Sequence, residues 1–312
     1  MKPEILLIEP MMPDVEAQLD AAYQVHRLFQ ASNRAAFVAD IGPRVRAIVT
    51  GGRTGASNDL LDAMPELQII AINGIGTDAV DLERARARGI RVTTTPDVLT
   101  DDVADLAIGL LLAAARRICV GDRFVRAGCW PSGGPPLATK VSGKRLGILG
   151  LGRVGRAIAR RAEGFGLAIA YCDPNRIADV AYRYQPELKS LASESDFLVV
   201  AAAGGAGSRG VVNRAVLDAL GPSGILINVA RGSIVDEPAL VAALQEKRLG
   251  GAGIDVFAHE PDVPQALWGM DNVVLQPHQA SATVETRHAM ADLVLGNLAA
   301  HFAGREPLTA VV

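Results

Sequence analysis

The amino-acid sequence predicts an α/β protein with two doubly wound parallel sheets, each in its own domain, and a cleft between the domains. Short apolar segments alternate with helical segments through the first part of the chain, and the same alternation begins again at Lys144. Hydrophobic residues make up 49% of the 312 residues and aromatic residues only 4%, so the predicted core consists of Ala, Val, Ile and Leu. A chain of this length usually forms more than one domain, and two are expected.

The first part of the chain has the pattern of βαβ units. Apolar runs of strand length are followed by turn residues and by segments with helical spacing, which is the order that builds a parallel sheet. The predicted strands are residues 5–8, 47–50, 68–72 and 90–93, and the predicted helices are residues 13–22, 33–41, 58–63 and 80–88.

A long apolar helix is predicted between the two domains. Thr100 is its expected N-cap, and residues 103–120 are apolar on nearly every face. A helix of this kind is buried, either between domains or at a subunit interface. Residues 128–136 are rich in Gly and Pro, so we expect an irregular arm there.

A glycine motif is the most informative feature of the second domain. Residues 150–155 read Gly-Leu-Gly-Arg-Val-Gly, after an apolar strand at residues 146–149 and before an amphipathic helix. This order places the pyrophosphate of a dinucleotide at the N-terminus of the helix, where free N–H groups meet its charge. Gly150 allows the tight turn, Gly152 lets the backbone approach the phosphates, and Gly155 lets helix and strand pack closely.

An acidic residue follows the next strand. Residues 168–172 are the predicted strand, and Asp173 comes directly after it, 18 residues beyond Gly155. A carboxylate about 20 residues after the glycines binds the hydroxyls of the adenosine ribose and disfavours a 2′-phosphate. The sequence therefore predicts NAD as the cofactor. NADP is the alternative, because Arg176 lies three residues further on.

Three candidate catalytic residues follow later strands, namely Arg231, Glu260 and His278. Ligands bind at the carboxyl ends of the strands in open α/β sheets, so these side chains are expected to converge beside a bound nicotinamide. Arginine can hold a carboxylate and polarise a keto oxygen. A histidine can protonate the developing alkoxide, and a glutamate on its other ring nitrogen orients the imidazole. The set suits the reduction of a 2-keto acid.

The remaining elements complete the second domain and return to the first. Strands are predicted at residues 197–201, 224–228, 253–257 and 273–276, with helices at residues 213–220 and 236–246. The last helix, residues 284–303, is expected to pack on the first domain, which would make that domain discontinuous.

Six segments resemble the NAD(P)-dependent D-2-hydroxyacid dehydrogenases, in particular the hydroxyphenylpyruvate, hydroxypyruvate and glyoxylate reductases. The segments are residues 95–113, 146–166, 227–244, 250–261, 272–278 and 283–302. They follow the order of the family and are spread over residues 95–302. The resemblance implies a homodimeric oxidoreductase that reduces a small 2-keto acid to the D-2-hydroxy acid. The choice of substrate among glyoxylate, hydroxypyruvate, hydroxyphenylpyruvate and longer keto acids stays open.

The resemblance also implies domain and residue roles. Residues 1–98 and 283–312 would form a flavodoxin-like substrate-binding domain, and residues 99–282 a dinucleotide-binding Rossmann domain. Arg231, Glu260 and His278 would be the catalytic set, and Asp255 would meet the nicotinamide carboxamide. The implied cofactor-binding residues are Gly150, Gly152, Arg153, Val154, Gly155, Asp173, Ala230 and Asp255. The implied substrate-binding residues are Asn73, Gly74, Ile75 and Gly76, together with Arg231 and His278.

Two segments depart from the family pattern. Where many relatives carry Leu-Thr-Pro-Glu-Thr beside the cofactor, residues 204–208 read Gly-Gly-Ala-Gly-Ser, and the glycines are expected to loosen this loop. Where relatives of the hydroxyphenylpyruvate type often carry Ser-Arg, this chain has Asp173-Pro174, which favours NAD.

Composition argues against several other classes of protein. A net charge of −3 and a pI near 6.0 do not favour a nucleic-acid or anionic-membrane partner. The longest apolar run, residues 106–115, is too short to span a bilayer. Three cysteines without a CxxC motif are expected to be buried, reduced thiols of a cytoplasmic protein. No His, Cys, Asp and Glu spacing predicts a metal site, and no GxSxG nucleophile motif is present.

The main alternative is a non-catalytic NAD(H)-binding regulatory protein on the same fold. A further alternative is a Rossmann protein of unrelated chemistry. The complete set Arg231, Glu260 and His278 favours the enzyme over both.

Overall fold

The structure, a computed structural model, describes residues 2–312. Its contacts divide the chain into two compact units. The first unit runs to Leu99 and resumes at Thr283, and the second extends from Thr100 to Ala282.

The first unit contains a five-stranded parallel sheet. Its strands are β1 (Glu4–Leu7), β2 (Gln24–Arg27), β3 (Val45–Gly51), β4 (Ile69–Asn73) and β5 (Arg91–Thr93). They lie in the order β2-β1-β3-β4-β5, which is the flavodoxin-like order. Helices cover the sheet, so strand residues such as Ile48 and Val49, whose side chains point to opposite faces, are both buried.

Side-chain caps mark the beginning of three of the four helices named here for this unit. The helices are α1 (Pro13–Ala22), α2 (Arg34–Ile41), α3 (Asn58–Asp62) and α4 (Leu82–Ala87). Asn33, Ser57 and Asp81 each accept a hydrogen bond from the backbone N–H three residues later. The sequence analysis missed β2, because it is an edge strand that carries polar residues, among them His26, which pairs with Glu4.

The second unit contains a seven-stranded parallel sheet. Its strands are β6 (Arg145–Leu149), β7 (Ala168–Cys172), β8 (Arg183–Tyr184), β9 (Phe197–Val200), β10 (Ile225–Asn228), β11 (Gly251–Ile254) and β12 (Val273–Leu275). The order is β12-β11-β10-β9-β6-β7-β8, which is the Rossmann order extended by one strand. Strand order reverses between β6 and β9, where ligands bind in such sheets. The two sheets confirm the predicted class of parallel-sheet α/β protein.

The predicted apolar helix at residues 103–120 is two helices. The helices from here on are α5 (Thr100–Ala115), α6 (Ile118–Arg126), α7 (Arg153–Glu163), α8 (Leu188–Ser193), α9 (Arg214–Leu220), α10 (Glu237–Gln245) and α11 (Val284–Phe302). Arg117, in the left-handed region at φ 53°, separates α5 from α6. Thr100 is the first residue of α5 rather than its N-cap.

Only the first of these two helices is buried. α5 packs against α7 and against β10 and β11 of its own unit, which accounts for its apolar faces. None of the residues of α6 is buried, and Ile118 and Val125 are more than half exposed. α6 is therefore exposed in the single chain, and its expected burial at a subunit interface stays a prediction.

Two further expectations are corrected or extended by the structure. Cys119 and Cys129 are exposed, and only Cys172 is buried, because the first two lie on α6 and on the arm that follows it. The last helix, α11, begins after the N-cap Thr283 and packs on β4 and α1 of the first unit. Among residues 2–312, no helix is both long and apolar enough to cross a bilayer.

Candidate active site

The glycine turn after β6 has the close approaches that its sequence predicts. Gly150 adopts φ 88°, and a Cβ there would lie 2.5 Å from the Cα of Ala202. A Cβ on Gly155 would lie 2.1 Å from the carbonyl oxygen of Gly150. Gly152 differs, since a Cβ there would meet nothing within 4 Å. The open space at Gly152 lies at the N-terminus of α7, beside Arg153 and Val154, where a pyrophosphate would fit.

Asp173 lies directly after β7 and contacts this glycine turn. Its Oδ2 accepts a hydrogen bond of 2.9 Å from the backbone N–H of Leu151. The phenol of Tyr184 donates to the carbonyl oxygen of Asp173 over 3.2 Å. The carboxylate is therefore held at the edge of the turn, while Pro174 and Arg176 are exposed.

The loop after β9 contains one helical turn, and its expected looseness stays a prediction. Ala206–Ser208 form a short 3-10 helix, and the hydroxyl of Ser208 donates to the carbonyl oxygen of Ala203 over 2.8 Å. Gly205 precedes this helix at φ 140°, a conformation that favours glycine.

Asn228, at the end of β10, builds the turn that carries Arg231. Its side-chain Oδ1 accepts from the N–H of Ala230 over 3.1 Å, and its Nδ2 donates to the carbonyl oxygen of Arg231 over 3.1 Å. The Arg231 guanidinium donates to the carbonyl oxygen of Ala230 over 2.7 Å. A Cβ on Gly232 would lie 2.0 Å from the backbone of Phe257, so this turn packs tightly on the segment after β11. The sequence analysis did not single out Asn228, although an Asn directly before a turn is a common signal of such bonding.

Glu260 and His278 form a pair in the second unit. The His278 Nδ1 lies 2.7 Å from the Glu260 Oε2, and the other carboxylate oxygen accepts from the N–H of Phe257 over 3.0 Å. The Glu260 side chain is 10% exposed and the His278 side chain 36%. A carboxylate only accepts, so Nδ1 carries the proton in this contact. Within residues 2–312 no hydrogen bond involves Nε2 of His278, which leaves this nitrogen for a substrate.

Asp255 contacts the loop that carries His278, and its implied role at the nicotinamide carboxamide stays a prediction. Its carboxylate is fully buried and accepts from the N–H groups of Gln279 and Ala280, over 2.7 and 3.1 Å. Burial raises the pKa of the Asp255 carboxyl, and the two hydrogen bonds act in the opposite direction. The carboxylate therefore points into the loop that carries His278.

Glu237 is a further residue that the sequence analysis missed. It is the first residue of α10, and its Oε2 accepts from the N–H of Ala258 over 3.0 Å. Ala258 belongs to the segment that leads to Glu260. Glu237 follows the N-cap Asp236, so in sequence it looks like an ordinary acidic residue of a first helical turn.

The loop Asn73–Gly76 lies in the first unit, at the carboxyl end of β4. The carbonyl oxygen of Gly74 accepts from the N–H of Thr95 over 2.8 Å, which anchors the loop. The backbone N–H groups of Gly74, Ile75 and Gly76 donate no hydrogen bond within residues 2–312. The buried Oδ1 of Asn73 also lacks a partner there. The three unused backbone N–H groups of the loop are donors that could bind a carboxylate, whereas the Asn73 Oδ1 is an acceptor.

Comparison with known proteins identifies the family. The description "D-isomer specific 2-hydroxyacid dehydrogenase, NAD binding domain" matches residues 108–280. The chain is 51% identical to a hydroxyphenylpyruvate reductase of Plectranthus scutellarioides, over 99% of this chain and 98% of the relative. The chain belongs to the D-2-hydroxyacid dehydrogenase family.

Other members of the family have similar sequences and folds. A 2-ketogluconate reductase of Gluconobacter oxydans is 45% identical, over 100% of this chain and 99% of the relative. The structure of a 2-hydroxyacid dehydrogenase from Ketogulonicigenium vulgare has a TM-score of 0.93 at 48% identity and covers 100% of this chain and 99% of its own. An NADPH-dependent glyoxylate/hydroxypyruvate reductase of Sinorhizobium meliloti, in complex with NADP and malonate, has a TM-score of 0.92 at 44% identity, with coverage of 100% and 97%. Membership therefore makes this chain a nicotinamide-dependent oxidoreductase.

Two alanine substitutions separate the packing role of one glycine from the binding role of another. Gly155→Ala is expected to lower the free energy of unfolding by about 1–3 kcal/mol, because its Cβ would overlap the backbone at Gly150. Gly152→Ala is the matched control, and it should leave thermal stability unchanged because the space around it is open. Gly152→Ala should, however, raise the Kd for NADH by about tenfold or more, which corresponds to a loss of about 1.4 kcal/mol or more of binding free energy, as measured by calorimetry. Normal NADH binding by Gly152→Ala would show that the pyrophosphate does not bind beside Gly152.

Proposed function

We propose that this dehydrogenase reduces a small 2-keto acid to the D-2-hydroxy acid. The observation that carries the proposal is the Glu260–His278 pair, which leaves Nε2 of His278 available for a substrate. Relatives named for glyoxylate, hydroxypyruvate and hydroxyphenylpyruvate support this substrate class. We assign dinucleotide binding to residues 99–282 and substrate binding to residues 1–98 and 283–312.

The proposed chemistry divides between the nicotinamide and three side chains. The glycine turn at residues 150–155 would hold a nicotinamide dinucleotide, which would supply hydride to the keto carbon when bound. The Arg231 guanidinium holds the substrate carboxylate or keto oxygen and stabilises negative charge as it develops there. His278 Nε2 donates a proton to the developing alkoxide and is left neutral, to be reprotonated from solvent. Glu260 keeps the imidazole in the orientation that presents Nε2.

We also propose that the loop Asn73–Gly76 binds the substrate carboxylate. Its unused backbone N–H groups are donors of the kind that carboxylates accept from. Glyoxylate, hydroxypyruvate and hydroxyphenylpyruvate all share this carboxylate, so the loop would recognise the class rather than one member.

Replacing His278 with asparagine tests the proposed proton donor. His278→Asn keeps a similar shape but removes the titratable group, so turnover should fall by about 10²–10⁴-fold while NADH binding is retained. Steady-state rates with hydroxypyruvate and glyoxylate measure this. Near-normal turnover of the variant would remove His278 from the mechanism. Wild-type protein that binds NADH but reduces none of the three keto acids would favour the regulatory alternative.

We propose NAD(H) rather than NADP(H) as the preferred cofactor. Asp173 lies beside the glycine turn, where its carboxylate can accept from ribose hydroxyls and repels a 2′-phosphate. The NADPH dependence of the Sinorhizobium meliloti relative is the reason to test this directly.

Asp173→Ser is expected to change the cofactor preference. Wild type should have a higher kcat/KM with NADH than with NADPH. The serine variant should lower the ratio of these two values by about tenfold, since removal of one charge contact of about 1.4 kcal/mol has this effect. Arg176→Ser serves as the control and should leave the ratio unchanged. Wild-type preference for NADPH, unaltered in Asp173→Ser, would contradict the role given to Asp173.

We propose that the protein is a homodimer, in which α6 and the arm after it contact a second copy. The surface consists of Ile118, Val125, Trp130 and Leu137, of which Trp130 is 69% and Leu137 is 97% exposed. Apolar side chains that are so exposed over a continuous stretch of chain are typical of an interaction surface. The apolar faces of α5 do not indicate a subunit interface, because they are covered within the second unit.

Light scattering is expected to give twice the chain mass of 32.7 kDa. Val125→Glu should shift the mass towards the monomer, because a carboxylate would be buried without a partner in the contact. Leu308→Glu is the control, because Leu308 is an exposed leucine of the first unit (64%, against 54% for Val125), and this variant should stay dimeric. Monomeric wild-type protein at micromolar concentration would contradict the proposed interface.

The state of the cysteines bears on the cellular location of the protein. The three cysteines are free thiols, two of them exposed, which suits a reducing compartment. We infer a cytoplasmic location on this basis.

A further inference from the structure

Glu237 connects the helix after the turn of Arg231 to the segment that carries Glu260. It is the first residue of α10, and its Oε2 accepts a hydrogen bond from the N–H of Ala258 over 3.0 Å. Within residues 2–312, this is the only hydrogen bond from the backbone of residues 256–258 to another element. A single carboxylate therefore ties this segment to α10 by a directed bond.

The segment after β11 has no neighbouring strand to set the direction of its backbone. The last bond that continues the ladder runs from the N–H of Asp255 to the carbonyl oxygen of Asn228, over 3.0 Å. The side chains of Val256 and Phe257 are buried, but apolar burial is non-directional. Burial holds the segment on the sheet without fixing the orientation of its peptide groups. The bond to Glu237 supplies that orientation.

Two further contacts pass this restraint to the proposed proton donor. The N–H of Phe257, the residue before Ala258, donates to Oε1 of Glu260 over 3.0 Å. Oε2 of the same carboxylate lies 2.7 Å from Nδ1 of His278. A rotation of the backbone at residues 257–258 would therefore displace the carboxylate that orients the imidazole.

The packing around Glu237 leaves little free space. A cavity of about 10 Å³, with room for about one water molecule, lies among the turn after β10, α10 and the end of β11. Gly232, Glu237 and Val256 are among the residues that line it. Glu237 thus lies against the interior of the second unit. An acidic residue that serves only a helix N-terminus can instead lie in solvent, as Glu83 does in the first turn of α4.

We propose that Glu237 is a positioning residue for the reaction. It holds the segment after β11 in the orientation in which Glu260 meets His278, and it acts on the reaction only through this pair. This inference rests on the proposed role of His278 as proton donor. Loss of the bond should lower kcat and leave the Kd for NADH unchanged, because Glu237 bonds to Ala258 and not to the glycine turn.

Two variants separate the reach of this side chain from its charge. Glu237→Asp keeps the carboxylate but shortens the side chain by one methylene, so it should no longer reach the N–H of Ala258. Its kcat with hydroxypyruvate should fall by about 10–100-fold, since a displacement of about 1 Å near the reacting groups has effects of this size. Glu237→Gln keeps the length and an acceptor oxygen, and its kcat should stay within about threefold of wild type.

The order of these two variants distinguishes positioning from a role in helix stability. A residue that served only the N-terminus of α10 would give the reverse order, because aspartate keeps the negative charge there and glutamine does not. Glu83→Asp is the matched control at an exposed glutamate of α4, and its kcat should be unchanged. A Glu237→Gln enzyme impaired as strongly as Glu237→Asp, or wild-type kcat in Glu237→Asp, would overturn the proposal. An increase of about tenfold or more in the Kd for NADH in either variant would also overturn it.

A double-mutant cycle tests whether Glu237 acts through the pair. In the His278→Asn background, Glu237→Asp should lower kcat by less than about twofold, since a residue that acts through another has no separate effect. An undiminished effect in that background would show that Glu237 acts by another route, contrary to the proposal.

Hydrogen exchange separates this inference from the proposed function. Peptides spanning residues 256–260 should exchange faster in Glu237→Asp than in wild type, whatever substrate the enzyme uses. Wild-type protein that reduces no 2-keto acid would contradict the proposed function alone. Unchanged exchange at these residues would contradict the restraint by Glu237 alone.

Discussion

The register of three neighbouring parallel strands is the constraint on which the site depends. Asn228, the last residue of β10, pairs with Ile254, the last of β11, which in turn pairs with Leu275, the last of β12. Because the strands end level with one another, the segments that follow them leave the sheet at the same edge. Arg231 and His278 each lie three residues beyond the end of their strand. The parallel sheet thus brings together residues that are distant in sequence.

Carboxylates hold the segments beyond these strand ends, and one of them, that of Asp255, is fully buried. Glu260 accepts from Phe257, Glu237 from Ala258, and Asp255 from Gln279 and Ala280. Irregular backbone near a sheet edge has N–H groups without ladder partners, and a carboxylate satisfies them with a stronger bond than a neutral acceptor would. Asp255 therefore supports the loop of His278, while Glu260 and Glu237 support the segment after β11. One of them, Glu260, also contacts the imidazole directly.

Much of the fold and of the candidate site could be predicted because the signals are local. The buried strands are continuous apolar runs, and the glycine turn is defined by six adjacent residues. The break at Arg117 and the edge strand β2 escaped prediction, because the first depends on one backbone conformation and the second on pairing with β1. Asn228 and Glu237 escaped for a related reason. Their roles depend on hydrogen bonds to particular backbone atoms, which residue type alone does not reveal.

The stereochemistry of the product is a direct test of whether Arg231 and His278 orient a bound 2-keto acid for reduction. Arg231 and His278 stand at fixed strand ends, so a bound keto acid presents one face of its carbonyl carbon to hydride. Hydroxypyruvate and hydroxyphenylpyruvate can be incubated with nicotinamide dinucleotide in the reduced form, and the product resolved by chiral chromatography. The account predicts only the D-2-hydroxy acid from either substrate. An L product, a mixture of the two enantiomers, or no reduction of either keto acid would contradict it.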